Sequence, residues 1–222
     1  MTVGSPAVRE LEVRLGRLRL TGDLRVPRPV EGLVVFAHGS GSGRGSPRNR
    51  RVAAHLEQAG LATFLVDLLA PHEDGDRRLV FDIAALAERL IAATDRVAGE
   101  LDLADRPVGY FGASTGAAAA LVAAVRRGGI GAVVSRGGRP DLASDVLERV
   151  RAPTLLIVGG VDLPVIPLNE AAYRQLRCQR ELVVVPGASH LFEEPGALDR
   201  VAELAAAWFD RYLPVPGLPP AG

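Results

Sequence analysis

The sequence predicts an α/β fold in which a mostly parallel sheet of eight strands is covered by helices on both faces, as a three-layer αβα sandwich. Along residues 33–212, apolar segments of strand length alternate with amphipathic helical segments. Such continuous apolar strands are typical of parallel sheets that are buried on both sides. Residues 11–26 instead alternate between apolar and polar, which indicates a half-buried antiparallel pair at one sheet edge. A chain of 222 residues fits one domain, so we predict a single domain over residues 1–222.

The elements follow from these patterns in order along the chain. The predicted strands after the edge pair are 33–37, 62–66, 107–111, 130–134, 154–158 and 182–185. The predicted helices are 51–59, 81–97, 115–126, 140–150, 168–176 and 198–212. Only about 20 residues separate the strands 130–134 and 154–158, which leaves space for one helix and none for a cap domain. The segment 214–222, rich in proline and glycine, is expected to be a flexible tail.

The composition excludes several function classes. Lys+Arg and Asp+Glu both number 26, so no net charge favours nucleic acid as a partner. Every cationic side chain is arginine, which excludes a Schiff-base lysine and a Walker A lysine. The single cysteine, Cys178, cannot form an intrachain disulfide or a cysteine metal cluster. No apolar stretch reaches the length of a membrane span, and residues 1–10 lack the apolar core of a secretory signal; we expect a cytoplasmic protein.

A short motif between a strand and a helix carries the first chemical signal. Gly112-Ala113-Ser114-Thr115-Gly116 joins the strand 107–111 to the helix 115–126. This is the G-x-S-x-G pattern of a nucleophile elbow, a strained turn that exposes the serine Oγ above the sheet edge. Glycine is required on either side because a Cβ there would collide with the neighbouring strand or helix. The sequence therefore predicts Ser114 as a nucleophile.

Other polar residues follow the remaining predicted strands, where parallel sheets gather their functional groups. Asp162 follows the strand 154–158, and His190 lies between the last strand and the last helix. A serine hydroxyl needs a base to accept its proton, and imidazole titrates near neutral pH. A carboxylate fixes the orientation of the imidazole. The chain order Ser114, Asp162, His190 thus predicts a catalytic triad, with Asp141 as the alternative acid and a structural role for His38.

Over residues 11–212 these motifs resemble the α/β-hydrolase fold, in its compact form without a cap domain, as in the dienelactone-hydrolase-like serine hydrolases. The run from Gly41 to Arg50 is also similar to hydrolase domains that are joined to phosphoribosyltransferases. Dienelactone hydrolases carry cysteine at the elbow, where this chain has Ser114. The elbow and the resemblance imply an oxyanion hole made of the backbone N–H groups of Thr115 and Ser40.

Arginines cluster near the same predicted edge. Four lie in residues 44–51, and Arg136 and Arg139 follow a later strand. They form either a solvated surface or a clamp for an anionic substrate, for which Arg44 and Arg136 are the candidates. The glycine-rich run 39–45 lacks the lysine of a phosphate-binding loop. The acidic loop 71–76 lacks EF-hand spacing, and no metal is predicted.

The sequence thus favours a serine hydrolase that cleaves small carboxylic esters, thioesters or lactones through an acyl-enzyme, without a cofactor. Two alternatives remain open: an acyltransferase with the same triad, and a non-catalytic binding module of the same fold. We expect a monomer or a homodimer. Glu193 and Glu194 are expected to begin the final helix, where acidic residues suit the helix dipole.

Overall fold

The computed structural model describes residues 6–73 and 75–213 and contains an eight-stranded sheet. The strands are β1 Val8–Leu15, β2 Leu18–Arg25, β3 Gly32–Ala37, β4 Leu61–Val66, β5 Val108–Ala113, β6 Ile130–Arg136, β7 Thr154–Gly159 and β8 Arg180–Val185. The helices are α1 Pro47–Gln58, α2 Arg77–Val80, α3 Ile83–Ala98, α4 Thr115–Arg127, α5 Ile166–Gln175 and α6 Ala197–Tyr212. The expected tail, 214–222, lies outside the described residues.

The strand order β1-β2-β4-β3-β5-β6-β7-β8 confirms the predicted mixed sheet. β1 pairs antiparallel with β2, and β2 pairs antiparallel with β4. The strands β3 to β8 are parallel, so their carboxyl ends share one edge. The chain winds from β3 outward to β4 and then returns to β5, which makes the β3–β5 boundary the topological switch point. In open α/β sheets the functional site lies in the crevice at this point.

Two apolar cores cover the sheet, one on each face. On one face, α3 and α4 pack against side chains such as Val35 and Tyr110. On the other face, α1 and α6 pack against side chains such as Phe36 and Phe111. The residues 117–121 of α4 are all fully buried, and four of them are alanines, whose small side chains let the helix lie close to the sheet. The two cores confirm the predicted three-layer architecture, and the described residues show no separate cap.

One predicted helix is wrong. Residues 140–150 form two short 3₁₀ turns, Pro140–Ala143 and Leu147–Arg149, in place of an α-helix. Their backbone hydrogen bonds join residues three apart, as in Ser144 N–H to Asp141. Residues such as Ser144 and Asp141 have low helix propensity, which disfavours a regular α-helix here. The buried positions 143, 146, 147 and 150 fit either helical spacing, so the apolar pattern alone does not distinguish the two.

The loop after β4 is fixed by an ion pair between the buried Arg89 and the partly buried Glu73. The guanidinium of Arg89 on α3 donates to both carboxylate oxygens of Glu73, at 2.6 and 2.8 Å, and to the Leu68 carbonyl at 2.8 Å. The Glu73 carboxylate also accepts the N–H of Ala70 at 2.9 Å. The hydrogen bond from Arg89 lowers the pKa of Glu73 from its ordinary value. The pair therefore connects α3 to the loop that follows β4, at the edge of the sheet formed by the carboxyl ends of the parallel strands.

We expect this pair to stabilise the fold in a pH-dependent way. The pKa of Glu73 is lower in the folded chain, so its contribution is present above the ordinary glutamate pKa of about 4.3 and is lost as pH falls through the folded value. Glu73→Gln should lower the free energy of unfolding by about 2 kcal/mol at neutral pH. Urea unfolding near neutrality and well below the glutamate pKa checks this. An equal loss at both pH values would contradict the assignment.

Candidate active site

Ser114 occupies a strained backbone conformation between β5 and α4. Its φ of 50° and ψ of −121° are rarely adopted by a residue with a side chain. Its N–H donates to the Arg136 carbonyl at 3.3 Å, and its own carbonyl accepts the N–H groups of Ala117 and Arg139, each at 3.1 Å. The surrounding backbone thus fixes the turn. Ser114 is partly exposed at the edge of the sheet formed by the carboxyl ends of the parallel strands.

The glycines of the motif confirm the predicted steric requirement. A Cβ on Gly112 would lie 2.5 Å from the Cα of Ala117. A Cβ on Gly116 would lie 2.2 Å from the carbonyl oxygen of Ala37, at the end of β3. Each glycine therefore permits a close backbone approach, one between β5 and α4 and the other between α4 and β3. Together they let the elbow sit at the switch point of the sheet.

His190 and Asp162 form a hydrogen-bonded pair at the same edge. The Nδ1–H of His190 donates to Oδ2 of Asp162 at 2.7 Å. Asp162 lies just after β7 and is only 8 % exposed, so its carboxylate is directed to the imidazole and away from bulk water. This hydrogen bond fixes the tautomer that leaves Nε2 free to accept a proton. The alternative acid, Asp141, instead binds the guanidinium of Arg139 at 2.7 and 2.8 Å.

One dipeptide contacts both the serine and the histidine. The carbonyl of Arg136 accepts the Ser114 N–H, and a Cβ on Gly137 would lie 3.5 Å from the Nδ1 and Cε1 atoms of His190. Gly137 has a φ of 51°, which glycine adopts without strain. Asn169 supports the next residue, because its Nδ2 donates to the Gly138 carbonyl at 3.1 Å. The end of β6 thus brings the nucleophile candidate and the base candidate to one place.

The loop of His190 has an anchor that the sequence analysis did not identify. The Ser189 N–H donates to Oε2 of Glu194 at 3.0 Å, and this bond lowers the pKa of Glu194. Phe192 adopts a positive φ of 57° and is only 1 % exposed. The expectation that Glu194 begins the final helix is wrong, because α6 begins at Ala197. The only signal in the sequence was the closeness of Glu194 to His190.

The loop after β3 lies against the elbow. His38 is buried; its Nε2 accepts the N–H of Leu68 at 2.8 Å, and its Nδ1–H donates to the Gly39 carbonyl at 2.9 Å, in agreement with a structural role. A Cβ on Gly39 would lie 2.9 Å from the Cβ of Ser114. Ser40 follows directly and is exposed, while Thr115 is the first residue of α4. Of the two expected oxyanion donors, Ser40 thus lies in the loop that packs against Ser114, and Thr115 directly follows Ser114 in the chain.

The two candidate substrate arginines differ in their surroundings. The guanidinium of Arg44 donates to Glu10, Asp23 and Asp67, at 2.7 Å for Glu10 and 3.1 Å for Asp67. Three carboxylates neutralise its charge, so we correct the expectation that Arg44 clamps a substrate and assign it to holding the loop in place. Arg136 is 7 % exposed, and its Nε and Nη1 have no hydrogen-bond partner among the described residues.

The part of the chain that the structure describes contains no group of three or more histidine, cysteine, aspartate or glutamate residues suited to a metal ion. Within the same part, none of the helices combines the length and apolar character needed to cross a membrane.

The curated relatives are about twice as long as this chain. Two proteins from Mycobacterium tuberculosis strains, each named "Putative phosphoribosyl transferase", are 56 % identical to it over 215 residues. The match covers 96 % of this chain and 48 % of theirs, so the chain spans about half the length of these relatives. No family model matches the chain.

Solved structures match the chain over nearly its whole length. A dienelactone hydrolase from Anabaena variabilis is 56 % identical, with a TM-score of 0.91 over 94 % of this chain and 99 % of that one. Est1E from Butyrivibrio proteoclasticus is 17 % identical, with a TM-score of 0.78 over 91 % of this chain and 98 % of its own. An esterase from Pyrococcus furiosus is 16 % identical, with a TM-score of 0.80 over 94 % of both chains, and these two distant likenesses show the fold alone. Because its identity to the Anabaena protein extends along almost all of both chains, this chain belongs to the dienelactone hydrolase family of α/β-hydrolases.

Proposed function

We propose that this protein is a serine hydrolase that cleaves small carboxylic esters, thioesters or lactones through an acyl-enzyme. The observation that carries the proposal is the 2.7 Å hydrogen bond between His190 and the buried carboxylate of Asp162, at the same edge of the sheet as the strained turn of Ser114. A carboxylate, an imidazole and a partly exposed serine hydroxyl at one edge of the sheet are the three groups of a serine-hydrolase triad. No step requires a cofactor or a metal.

In the acylation step, the Ser114 Oγ attacks the carbonyl carbon of the ester while Nε2 of His190 accepts the hydroxyl proton. The negative charge that develops on the carbonyl oxygen is stabilised by the N–H groups of Thr115 and Ser40. Asp162 stabilises the imidazolium and is not itself protonated. The tetrahedral intermediate collapses, the bond to the leaving oxygen or sulfur breaks, and the imidazolium returns the proton to the leaving group.

In the deacylation step, water takes the place of the leaving group. His190 accepts a proton from that water as its oxygen attacks the acyl carbon, and the acid product leaves when the bond to the Ser114 Oγ breaks. The proton then returns to the Ser114 Oγ, so the enzyme is regenerated. A lactone follows the same course, with the leaving hydroxyl still attached to the acyl chain.

The relatives bear on this proposal in two ways. The name of the Anabaena protein supports a lactone or ester as the substrate, because a lactone is an internal ester. Serine at the elbow also suits oxygen esters, since its hydroxyl is activated by the adjacent base. The longer Mycobacterium tuberculosis proteins match this chain over 48 % of their length, so we do not extend the transferase activity in their name to this chain.

A fluorophosphonate probe tests the proposal, because it reacts covalently only with an activated serine. We expect one label per folded chain of the wild type and of Ser144→Ala, a matched change at an exposed serine. Ser114→Ala should take up no label. Intact-protein mass spectrometry measures the addition. Folded wild type that stays unlabelled would contradict the proposal and favour a binding module, and labelling that persists in Ser114→Ala would place the nucleophile elsewhere.

A further inference from the structure

The turn after β6, which contacts both Ser114 and His190, contains two adjacent glycines. Gly137 has a φ of 51°, and a Cβ on Gly138 would collide with Oγ of Ser135, so a larger residue does not fit there. A backbone with two adjacent glycines has much conformational freedom of its own. The turn therefore depends on contacts with other segments to keep one conformation.

Both neighbours of the Gly138 peptide contact the proposed triad. On one side, Gly137 lies against the imidazole, because a Cβ on Gly137 would be 3.5 Å from Nδ1 and Cε1 of His190. On the other side, the Arg139 N–H donates to the Ser114 carbonyl at 3.1 Å. A displacement of the Gly138 peptide would therefore change the surroundings of the serine and of the histidine together.

Asn169, in the first turn of α5, binds this peptide from outside the site. Its side chain is fully buried, and its Nδ2 donates to the Gly138 carbonyl at 3.1 Å and to the Val165 carbonyl at 3.0 Å. Both partners are acceptors, so the amide nitrogen has to face them. Burial of an amide costs free energy, and its Oδ1 has no hydrogen-bond partner among the described residues. The two donated bonds are therefore what this asparagine contributes to the fold.

The second partner of Asn169 belongs to the segment that carries Asp162. The N–H groups of Val165 and Ile166 donate to the Asp162 carbonyl at 3.0 and 3.2 Å, so Val165 lies one turn after the acid. One amide group thus joins the turn after β6 to the loop after β7. It does so from a buried position behind the reacting groups, where a substrate has no access.

We propose that Asn169 is a positioning residue of the hydrolase. By binding the Gly138 carbonyl it fixes the turn after β6, and through that turn it fixes the mutual placement of Ser114 and His190. The inference rests on the proposed function, because it assigns a supporting residue to that same site. A misplacement of about 1 Å, caused far from the chemistry, can lower a rate about 100-fold. Loss of the bond to Gly138 is therefore expected to reduce turnover although the triad itself is intact.

Asn169→Ser separates the two hydrogen bonds. A serine hydroxyl in a helix can donate to the carbonyl four residues earlier, here that of Val165, but its side chain is too short to reach Gly138. We expect kcat for a neutral nitrophenyl ester to fall about 10- to 100-fold while KM stays close to that of wild type. Asn169→Leu, which keeps the volume and removes both donors, should lose at least as much. Wild-type kcat in Asn169→Ser would overturn the inference.

Thr94→Val is the matched control for the loss of a buried hydrogen bond. Thr94 is fully buried in the second half of α3, and its Oγ1 bonds the Leu90 carbonyl at 2.7 Å and the Tyr110 hydroxyl at 3.0 Å. Thr94→Val and Asn169→Leu should each lower Tm by about 3–6 °C. Only the second should lose kcat. Equal kcat in the two variants would show that Asn169 acts through stability alone and would overturn the inference.

The NMR signal of the His190 Cε1–H separates this inference from the proposed function, because it needs no catalysis. The chain has four histidines, and His190→Gln identifies the signal by its loss. The signal should shift or broaden in Asn169→Ser and stay as in wild type in Thr94→Val. If it does so while wild type takes up no fluorophosphonate, the hydrolase proposal fails and the positioning role stands. If Ser114 is labelled and Asn169→Ser matches Thr94→Val in labelling rate and in this signal, the positioning role fails and the hydrolase proposal stands.

Discussion

Asp162→Asn is expected to lower kcat for a neutral nitrophenyl ester about 10⁴-fold. The carboxylate is buried and accepts the Nδ1–H of His190 at 2.7 Å. An amide in its place can present an N–H to Nδ1 and favour the tautomer in which Nε2 carries the proton. That tautomer cannot accept a proton from Ser114, and the amide cannot stabilise an imidazolium. Steady-state kinetics on purified protein measures the loss, and circular dichroism checks that the variant is folded.

Companion variants show whether the three residues act as one unit. Ser114→Ala should lower kcat about 10⁶-fold, and adding Asp162→Asn to it should cause little further loss, because residues of a triad are not additive. Asp141→Asn is the matched control, since Asp141 binds Arg139 and not the imidazole. Asp162→Asn with activity close to that of Asp141→Asn would contradict the role of Asp162.

Gly116→Ala should destabilise the whole domain. The added Cβ would lie 2.2 Å from the carbonyl oxygen of Ala37 and 2.5 Å from that of His38. Both are backbone atoms of β3 and its loop, which cannot rotate away as a flexible side chain does. Overpacking in a core costs about 1–3 kcal/mol and occasionally more, and we expect the upper end or beyond because α4 must move off the sheet. Urea unfolding gives the change in the free energy of unfolding.

Gly45→Ala is the control for this substitution. Gly45 is exposed in the loop before α1, has no positive φ, and no atom lies within 4 Å of the Cβ position. Its replacement should change the free energy of unfolding by less than about 0.5 kcal/mol. Equal stability of the Gly116→Ala and Gly45→Ala variants would show that α4 and β3 are not in the contact described here.

The sheet and the elbow could be predicted because their determinants are local in the sequence. Strands buried on both faces are continuous apolar runs, and the G-x-S-x-G motif lies within one strand–turn–helix unit. The contact of Gly116 with the Ala37 carbonyl on β3 is the one part of the elbow that needs the folded sheet. Residues 140–150 show the opposite case. Their buried positions fit an α-helix and a 3₁₀ turn equally well, and the low helix propensity of the polar residues among them is too weak a signal to decide between the two. The positions of Asp162 and His190 followed from the order of the strands.

The electrostatic partners could not be predicted, because they lie far apart in the chain. The sequence pattern placed Arg44 at the predicted edge as a free cation for a substrate. In the fold its guanidinium binds Glu10, Asp23 and Asp67, which come from three other segments. Arg136 received the same interpretation from the same pattern, and none of the carboxylates that the structure describes forms an ion pair with it. The contact that makes Glu194 an anchor for the His190 loop also depends on a turn that only the folded chain shows. The spacing of residues in the sequence predicts that charged side chains lie at one edge of the sheet, but it does not predict which of them form ion pairs.

Ser114 and His190, the proposed nucleophile and base, follow strands that differ in how firmly they are held in the sheet. Ser114 follows β5, which lies between two neighbours in the sheet, whereas His190 follows β8, the partly exposed outer strand that pairs with β7 alone. Outer strands open locally at lower free energy than central ones. A brief detachment of β8 from the sheet would move the His190 imidazole away from the site while the turn at Ser114 stays intact. If Ser114 and His190 act together as proposed, we therefore expect turnover to be lost at a lower temperature or denaturant concentration than the one that unfolds the whole domain.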